Sequence, residues 1–340
     1  MTSRANSPAT KGSCIHVGLV NNMPDSSLEA TERQFRTLLC EAADGIPLHF
    51  SLFAIPEVRR SEKGRLKIGN CYSSICELWD SRLDGLIVTG AEPVAPNLID
   101  EPYWTTLAEL VDWAEENTCS AIWSCLAAHA AVLQMDGIRR HRFEEKLFGV
   151  FEGEKISEHH LTSGTRDSFR MPHSRWNDIR QDELVACGYS ILTRLKNGIV
   201  DAFVKKRKSL FVFFQGHPEY EPASLLFEYR RDIRRYLNRE RELYPSMPQG
   251  YFDQHVAASF AELRVQALGN RSDQCLANFS ALSQLANVKS TWRPDAVRFY
   301  RNWLHYVFEQ KTHRIDSQTR LGSEYNSASS VVAGPSCLGQ

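Results

Sequence analysis

The chain lacks several features that would point to whole classes of function. No stretch approaches the roughly 18 consecutive apolar residues of a membrane span, and Met1 to Ser13 is polar, unlike a secretion signal. These two absences argue against a membrane or an export destination. Net charge is also lacking. Forty Lys and Arg against forty-one Asp and Glu leave −1, too little for the broad basic field that nucleic acid or an anionic membrane requires. The run Arg230-Arg231-Asp232-Ile233-Arg234-Arg235 is interleaved with acids and reads as a solvated helix face. No Gly-x-Gly-x-x-Gly, phosphate loop or metal-spaced His/Cys cluster is found, so neither a metal nor a redox cofactor is expected. Paired cysteine spacing is missing too. The nine cysteines are an odd, scattered set, and Cys71 and Cys76 stand apart from other zinc ligands. Reduced thiols in the cytoplasm are the expectation.

What is present is enough chain, 340 residues with 42% hydrophobic content, for one large core with an appended lobe. Ile15 to Val20 is a short apolar run of the kind a buried parallel strand uses, and Leu28 to Ala42 follows with helical spacing. Leu48 to Ala54 and Gly85 to Thr89 predict two more strands, and Trp104 to Asn117 a helix. Ser120 to Trp123 predicts a fourth strand and Leu126 to Met135 the next helix. Strand–helix alternation of this kind indicates an α/β fold, a doubly wound and mostly parallel sheet with helices on both faces. From Leu147 to Phe214 short strands replace helices, at 147–151, 191–193, 200–204 and 210–214, as in a meander returning to the core. Charged helices are predicted over 222–238, 256–268 and 294–310. The boundaries that follow are a flexible segment 1–13, a single domain 14–315 with a helical elaboration at about 254–310, and a disordered tail 316–340.

Two strand ends carry reactive side chains. Cys125 closes Ser120-Ala121-Ile122-Trp123-Ser124 and is followed at once by a helical stretch. His217 and Glu219 close Leu210 to Gly216 in the tripeptide His217-Pro218-Glu219. A thiol, an imidazole and a carboxylate can act as nucleophile, base and orienter of the base. A strand–turn–helix bend around Cys125 would resemble the nucleophile elbow of hydrolases. A helix start favours the thiolate, and the Leu126 N–H is then free for an oxyanion, with a second donor from the Gly90–Ala91 loop. An inert core thiol is the alternative for a cysteine alone; the His-Pro-Glu segment shifts the reading to catalysis.

Further stretches carry a resemblance. They are Asp84 to Ala91, Tyr103-Trp104, Glu145 to Phe151, Pro172-His173-Ser174-Arg175, Gly216 to Tyr220, Glu228 to Asp232, Trp292-Arg293 and Asn302-Trp303-Leu304. In order and spacing, over roughly residues 14–310, the chain resembles the homoserine O-acyltransferases (homoserine O-succinyltransferases), which share a class I glutamine amidotransferase-like fold. The resemblance implies transfer of an acyl group from acyl-CoA, a co-substrate, through a cysteine acyl-enzyme to the hydroxyl of homoserine. It implies Cys125 as nucleophile, His217 as base, Glu219 as its orienter and Arg231 as the partner of the amino acid's carboxylate. A guanidinium suits that last task by its bidentate fork. Lys146 and Ser174 match substrate-pocket positions. The implied partners are small molecules, with a homodimer left open.

The chain departs from the family pattern at several places. Met23-Pro24 leads into Asp25-Ser26-Ser27 where a lysine pair is usual, Leu126 replaces a tryptophan, and His129 replaces a glutamine. His129 lies one helical turn from Cys125, where it would either tune the thiol or be satisfied within the helix. Val94 stands at the position where the family chooses its acyl group. Its bulk leans to acetyl over succinyl on steric grounds, and Glu92 would add repulsion if it faced inward, with the donor left open between succinyl and acetyl. Arg139, Arg140 and Arg142 are either phosphate contacts for coenzyme A or a solvated turn. Three other functions fit parts of the pattern. These are the same chemistry on serine or another hydroxy amino acid, a glutaminase, and a silent binding protein on the same scaffold. Trp123 and Ala127 beside the nucleophile, where glutaminases usually place glycines, count against the second.

Overall fold

A computed structural model describes residues 14–329, with side chains up to residue 316. The first part of the chain alternates strands and helices. β1 (Ile15–Val20), α1 (Leu28–Ala42), β2 (Leu48–Phe53), α2 (Glu62–Cys71) and α3 (Ile75–Trp79) are followed by β3 (Gly85–Val88) and α4 (Trp104–Asn117). Next come β4 (Ser120–Ser124) and α5 (Leu126–Asp136). The middle is strand-rich, with β5 (His141–Lys155), β6 (Ser168–Asp178), α6 (Gln181–Ala186), β7 (Ser190–Leu195), β8 (Val200–Lys206) and β9 (Leu210–Phe214). Four helices complete it: α7 (Ser224–Leu237), α8 (Gln254–Gly269), α9 (Gln274–Leu285) and α10 (Arg293–Ser329).

All nine strands join one sheet in the order β2-β1-β3-β4-β9-β8-β7-β5-β6. The pairings from β2 to β9 are parallel and those from β9 to β6 antiparallel. The parallel strands β3, β4 and β9 read GLIV, SAIWS and LFVFF and are buried throughout. Such unbroken burial is what a strand covered on both faces requires. One face packs α4 and α5 around Trp123, Phe211 and Phe213. The other packs α1 and α10 around Ile122, Val212, Tyr300 and Trp303. Helix α1 buries Leu28, Phe35, Leu38 and Leu39, the spacing of a single helical stripe. A third cluster joins α7, α8 and α9 to Phe148 and Val150 of β5.

The expected α/β sheet with its meander is therefore present, with differences at particular elements. β6 escaped the sequence reading because Pro172 and several polar residues interrupt its apolar pattern. It is the last strand of the sheet, where a proline removes no ladder partner. β5 runs fifteen residues, far beyond 147–151, pairing from Leu147↔Arg175 to Glu154↔Ser168. α2, α3, α6 and α9 were also not anticipated as separate helices. The largest correction is at the end of the chain. α10 continues to Ser329, so the tail expected to be disordered from 316 is helical up to that point. The expected flexible segment 1–13 and residues 330–340 lie outside the described residues. Among the described residues no helix is long and apolar enough to cross a membrane, and eight cysteines are free thiols.

Candidate active site

The sheet order brings the reactive side chains together. β4 lies between β3 and β9, with Val88 paired to Trp123 and Ser124 to Phe214. The loops that leave these three strands therefore emerge side by side at their carboxyl ends, where α/β sheets collect ligands. Cys125 is the residue between β4 and α5, and it adopts φ 54° and ψ −113°. A positive φ is uncommon for a residue with a Cβ, and here it marks a strained elbow that turns the thiol out of the sheet. The bend is held by the Cys125 N–H, which donates to the Phe214 carbonyl of β9 at 2.7 Å. Gly90 makes the close approach behind it. A Cβ there would lie 2.7 Å from Leu126 Cβ and 3.2 Å from its backbone nitrogen. Leu126 and Ala91 are both buried at this contact. Leu126 is the first residue of α5, so its N–H has no carbonyl four residues back within the helix and can serve a ligand.

His217 follows the end of β9, and its own N–H is tied to the Pro172 carbonyl of β6 at 2.9 Å. Its Nδ1 meets Glu219 Oε1 at 2.8 Å, and both side chains are buried. The other ring nitrogen is left for the thiol. Burial alone would lower the His217 pKa, but the Glu219 carboxylate and the Cys125 thiol next to the ring together raise it well above 6.5. The three residues predicted to act together are thus gathered in one place. Tyr220 adds a wall, stacked on the imidazole with centroids 4.2 Å apart.

The remaining predicted residues converge on two carboxylates of α7. Ser174 Oγ and Tyr220 Oη donate to opposite oxygens of Glu228, the latter at 2.6 Å. Lys146 Nζ lies 3.5 Å from Glu228 Oε2 and 3.5 Å from Asp232 Oδ2, and sits over the Phe148 ring. Arg231 Nε donates to Asp232 Oδ1 at 3.0 Å, with a nitrogen 3.7 Å from Glu228. Burial pushes the Glu228 pKa up, but Lys146, Arg231 and the two hydroxyl donors outweigh it and hold the carboxyl below 4.5. Glu228 and Tyr220 were not assigned roles from sequence. The available signal was spacing: Glu228 is three residues before Arg231, hence on the same helix face, and Tyr220 adjoins Glu219. Tyr220 links the two groups, touching the His217 ring and the Glu228 carboxylate at once.

The other candidates fall nearby with less to do. His129 Nε2 meets Gln215 Oε1 at 2.9 Å, and burial followed by the charge of Arg175 lowers its pKa to about 3. It is the satisfied helix histidine of the two readings. Val94 is 71% exposed on the loop after β3. Glu92 on the same loop is paired with Arg235 at 3.0 Å. Arg139 is exposed, and Arg142 stacks 4.9 Å over the Trp176 ring. Asp25, standing where a lysine was expected, accepts the Ser61 N–H at 2.7 Å. Among the described residues no group of three or more His, Cys, Asp or Glu could hold a metal ion.

The family model described as homoserine O-succinyltransferase matches residues 1–314. A homoserine O-succinyltransferase of Rhodopseudomonas palustris is 46% identical over 290 residues, 85% of this chain and 87% of that protein. The Bradyrhizobium japonicum protein of the same name is 44% identical over 300 residues, covering 86% and 90%. Among solved structures, a glutamine amido transferase from Methylobacillus flagellatus covers 86% of this chain and 95% of its own, at 15% identity and a TM-score of 0.49. On its matching model and these relatives, the chain belongs to the homoserine O-succinyltransferase family.

Proposed function

We propose that the protein transfers an acyl group, succinyl in the first instance, from coenzyme A to the hydroxyl of homoserine, in the cytoplasm and in the service of methionine biosynthesis. The observation that carries this is the strained Cys125 elbow beside the His217–Glu219 pair, joined through Tyr220 to a charged pocket on α7. Cys125 gives its proton to His217 and attacks the thioester carbonyl, and Glu219 steadies the imidazolium. The carbonyl oxygen, briefly an oxyanion, takes hydrogen bonds from the N–H groups of Leu126 and Ala91. The bond from carbonyl carbon to the coenzyme A sulfur then breaks, and that sulfur leaves with the proton from His217. In the second half the homoserine hydroxyl gives its proton to His217 and attacks the enzyme thioester. The carbon–sulfur bond to Cys125 breaks, and the thiol recovers the proton.

The α7 pocket offers a partner to each of the acceptor's two charges. Arg231 suits its carboxylate, and Glu228, ionised and facing Ser174 and Lys146, suits its ammonium. Val94 belongs to the loop on the donor side. Its exposure puts no buried wall in the path of a succinyl tail, and the pairing of Glu92 with Arg235 weakens the repulsion that residue would offer. Coenzyme A enters and leaves as a co-substrate, and the mechanism calls on no bound cofactor.

The test is intact-mass measurement after incubation with succinyl-CoA. The expected result is one succinyl group on the wild-type chain, its discharge by homoserine but not by serine, and no label on Cys125→Ala. Undiminished labelling of that variant would refute the acyl-enzyme.

A further inference from the structure

A half-buried guanidinium beside the site has no anion paired to it among the described residues. Arg140, the last residue before β5, is half-buried, and its side chain makes one hydrogen bond, from Nη2 to the Pro96 carbonyl at 3.2 Å. Among the described residues it forms no ion pair, whereas Arg231 at the acceptor pocket is engaged by Asp232 and Arg175 by Asp178. Four of its five N–H donors therefore remain uncommitted. A cation withdrawn part-way from water and left unpaired needs a compensating charge.

Its surroundings say where that charge would come from. Pro96 belongs to the loop after β3 that also holds Val94. Buried Glu101 fixes the loop from below, its Oε1 accepting the N–H groups of Val94 and Ala95, both at 2.9 Å. Glu101, Arg142 and Cys125 all act electrostatically on Arg140, so its guanidinium lies within reach of the nucleophile. Arg142 adds a second cation and Glu101 one anion, which leaves one positive charge over. That matches one carboxylate. The acceptor's carboxylate is already provided for on the other side of the site by Arg231.

We propose that Arg140 is the anchor for the distal carboxylate of a dicarboxylic acyl donor, gripping the free end of the tail while its other end is bonded to Cys125. The assignment rests on the acyl-transfer reading above and deepens it by naming the residue that grips the donor's free carboxylate. Glu101 acts through the loop as a positioning residue, holding Pro96 and Val94 so that Arg140 faces the space beyond the thiol. The bidentate fork of arginine suits a planar carboxylate, which a lysine could meet only as a point charge.

The experiment compares donors on Arg140→Gln and Arg140→Lys, reading both the rate of Cys125 labelling and kcat/KM for homoserine acylation. With succinyl-CoA, Arg140→Gln is expected to fall by about 30-fold or more, from the loss of a charge-assisted contact. Arg140→Lys should fall less. With acetyl-CoA, whose tail carries no carboxylate, the change should stay within about 3-fold, which also shows that the variant is folded. The KM for homoserine should not move. Equal losses with both donors would overturn the proposal in favour of a phosphate contact or a purely structural strap, and no loss with either would overturn it as well. A wild-type chain labelled by acetyl-CoA alone would sink this assignment and leave acyl transfer standing. A wild-type chain labelled by neither donor would sink both.

Discussion

At the scale of single residues, the site depends on a buried imidazole whose proton affinity is set by its neighbours. Burial works against a charged ring, and Glu219 is the largest of the opposing influences on His217. Replacing Glu219 by Gln keeps a hydrogen-bond acceptor but removes the charge. The imidazolium should then lose its proton at lower pH, and because the ring accepts the Cys125 proton only when neutral, the acidic limb of the kcat/KM profile should move down. The rate at the optimum should fall by about 10²–10⁴-fold. An unmoved acidic limb would show that Glu219 does not set the titration of His217. Glu228 works in the opposite sense. Its carboxyl is held ionised by Lys146, Arg231 and two hydroxyl donors despite burial. Because that pKa is lowered, its share of stability is present above about pH 4.5 and disappears as pH falls through the folded value.

At the scale of elements, Cys125 is positioned by a strand end, a helix start and the loop beside them. The β3 loop can approach α5 only because residue 90 has no side chain. In Gly90→Ala the new methyl would collide with Leu126, and the elbow or the loop must shift. A cost of about 1–3 kcal/mol is expected, measurable as a lower urea midpoint. Labelling of Cys125 should slow by up to about 100-fold, since sub-ångström placement governs such rates. A variant of unchanged midpoint and unchanged labelling rate would mean that the contact is not tight. Helix α7 contributes a whole face, with Glu228, Arg231 and Asp232 turned to the pocket while Leu225, Tyr229 and Ile233 anchor it against α8 and α9.

At the scale of the whole molecule, the C-terminal helix braces the sheet from the end away from the chemistry. Trp303 of α10 is fully buried and donates to Ser120 Oγ at 2.9 Å. It also lies against Gly85, where a Cβ would come within 2.8 Å of its ring. Ser120 and Gly85 are the first residues of β4 and β3, while Cys125 and Gly90 follow the last. Trp303→Ala should therefore lower stability by about 3–5 kcal/mol and leave the labelling rate of the folded fraction unchanged. Calorimetry together with labelling at low temperature would check both. Loss of chemistry without loss of stability would contradict this division of labour.

The sequence by itself determined the parallel half of the sheet, because apolar runs bounded by polar residues have few other places to go. It also singled out Cys125, His217 and Glu219 as candidates, since each stands at a strand end, and the sheet order sets those ends side by side. It could not reveal β6, whose proline and charges look like a loop until an edge position excuses them. Nor could it reveal α10 beyond Gln310, where polar composition outweighs helical spacing. Tertiary structure alone decided which loops meet. Arg140 meeting the Val94 loop through Pro96 cannot be read from spacing, since β3 and β5 stand far apart in the sheet order. Periodicity reports which face of an element is buried; only the packed sheet decides which elements share an edge.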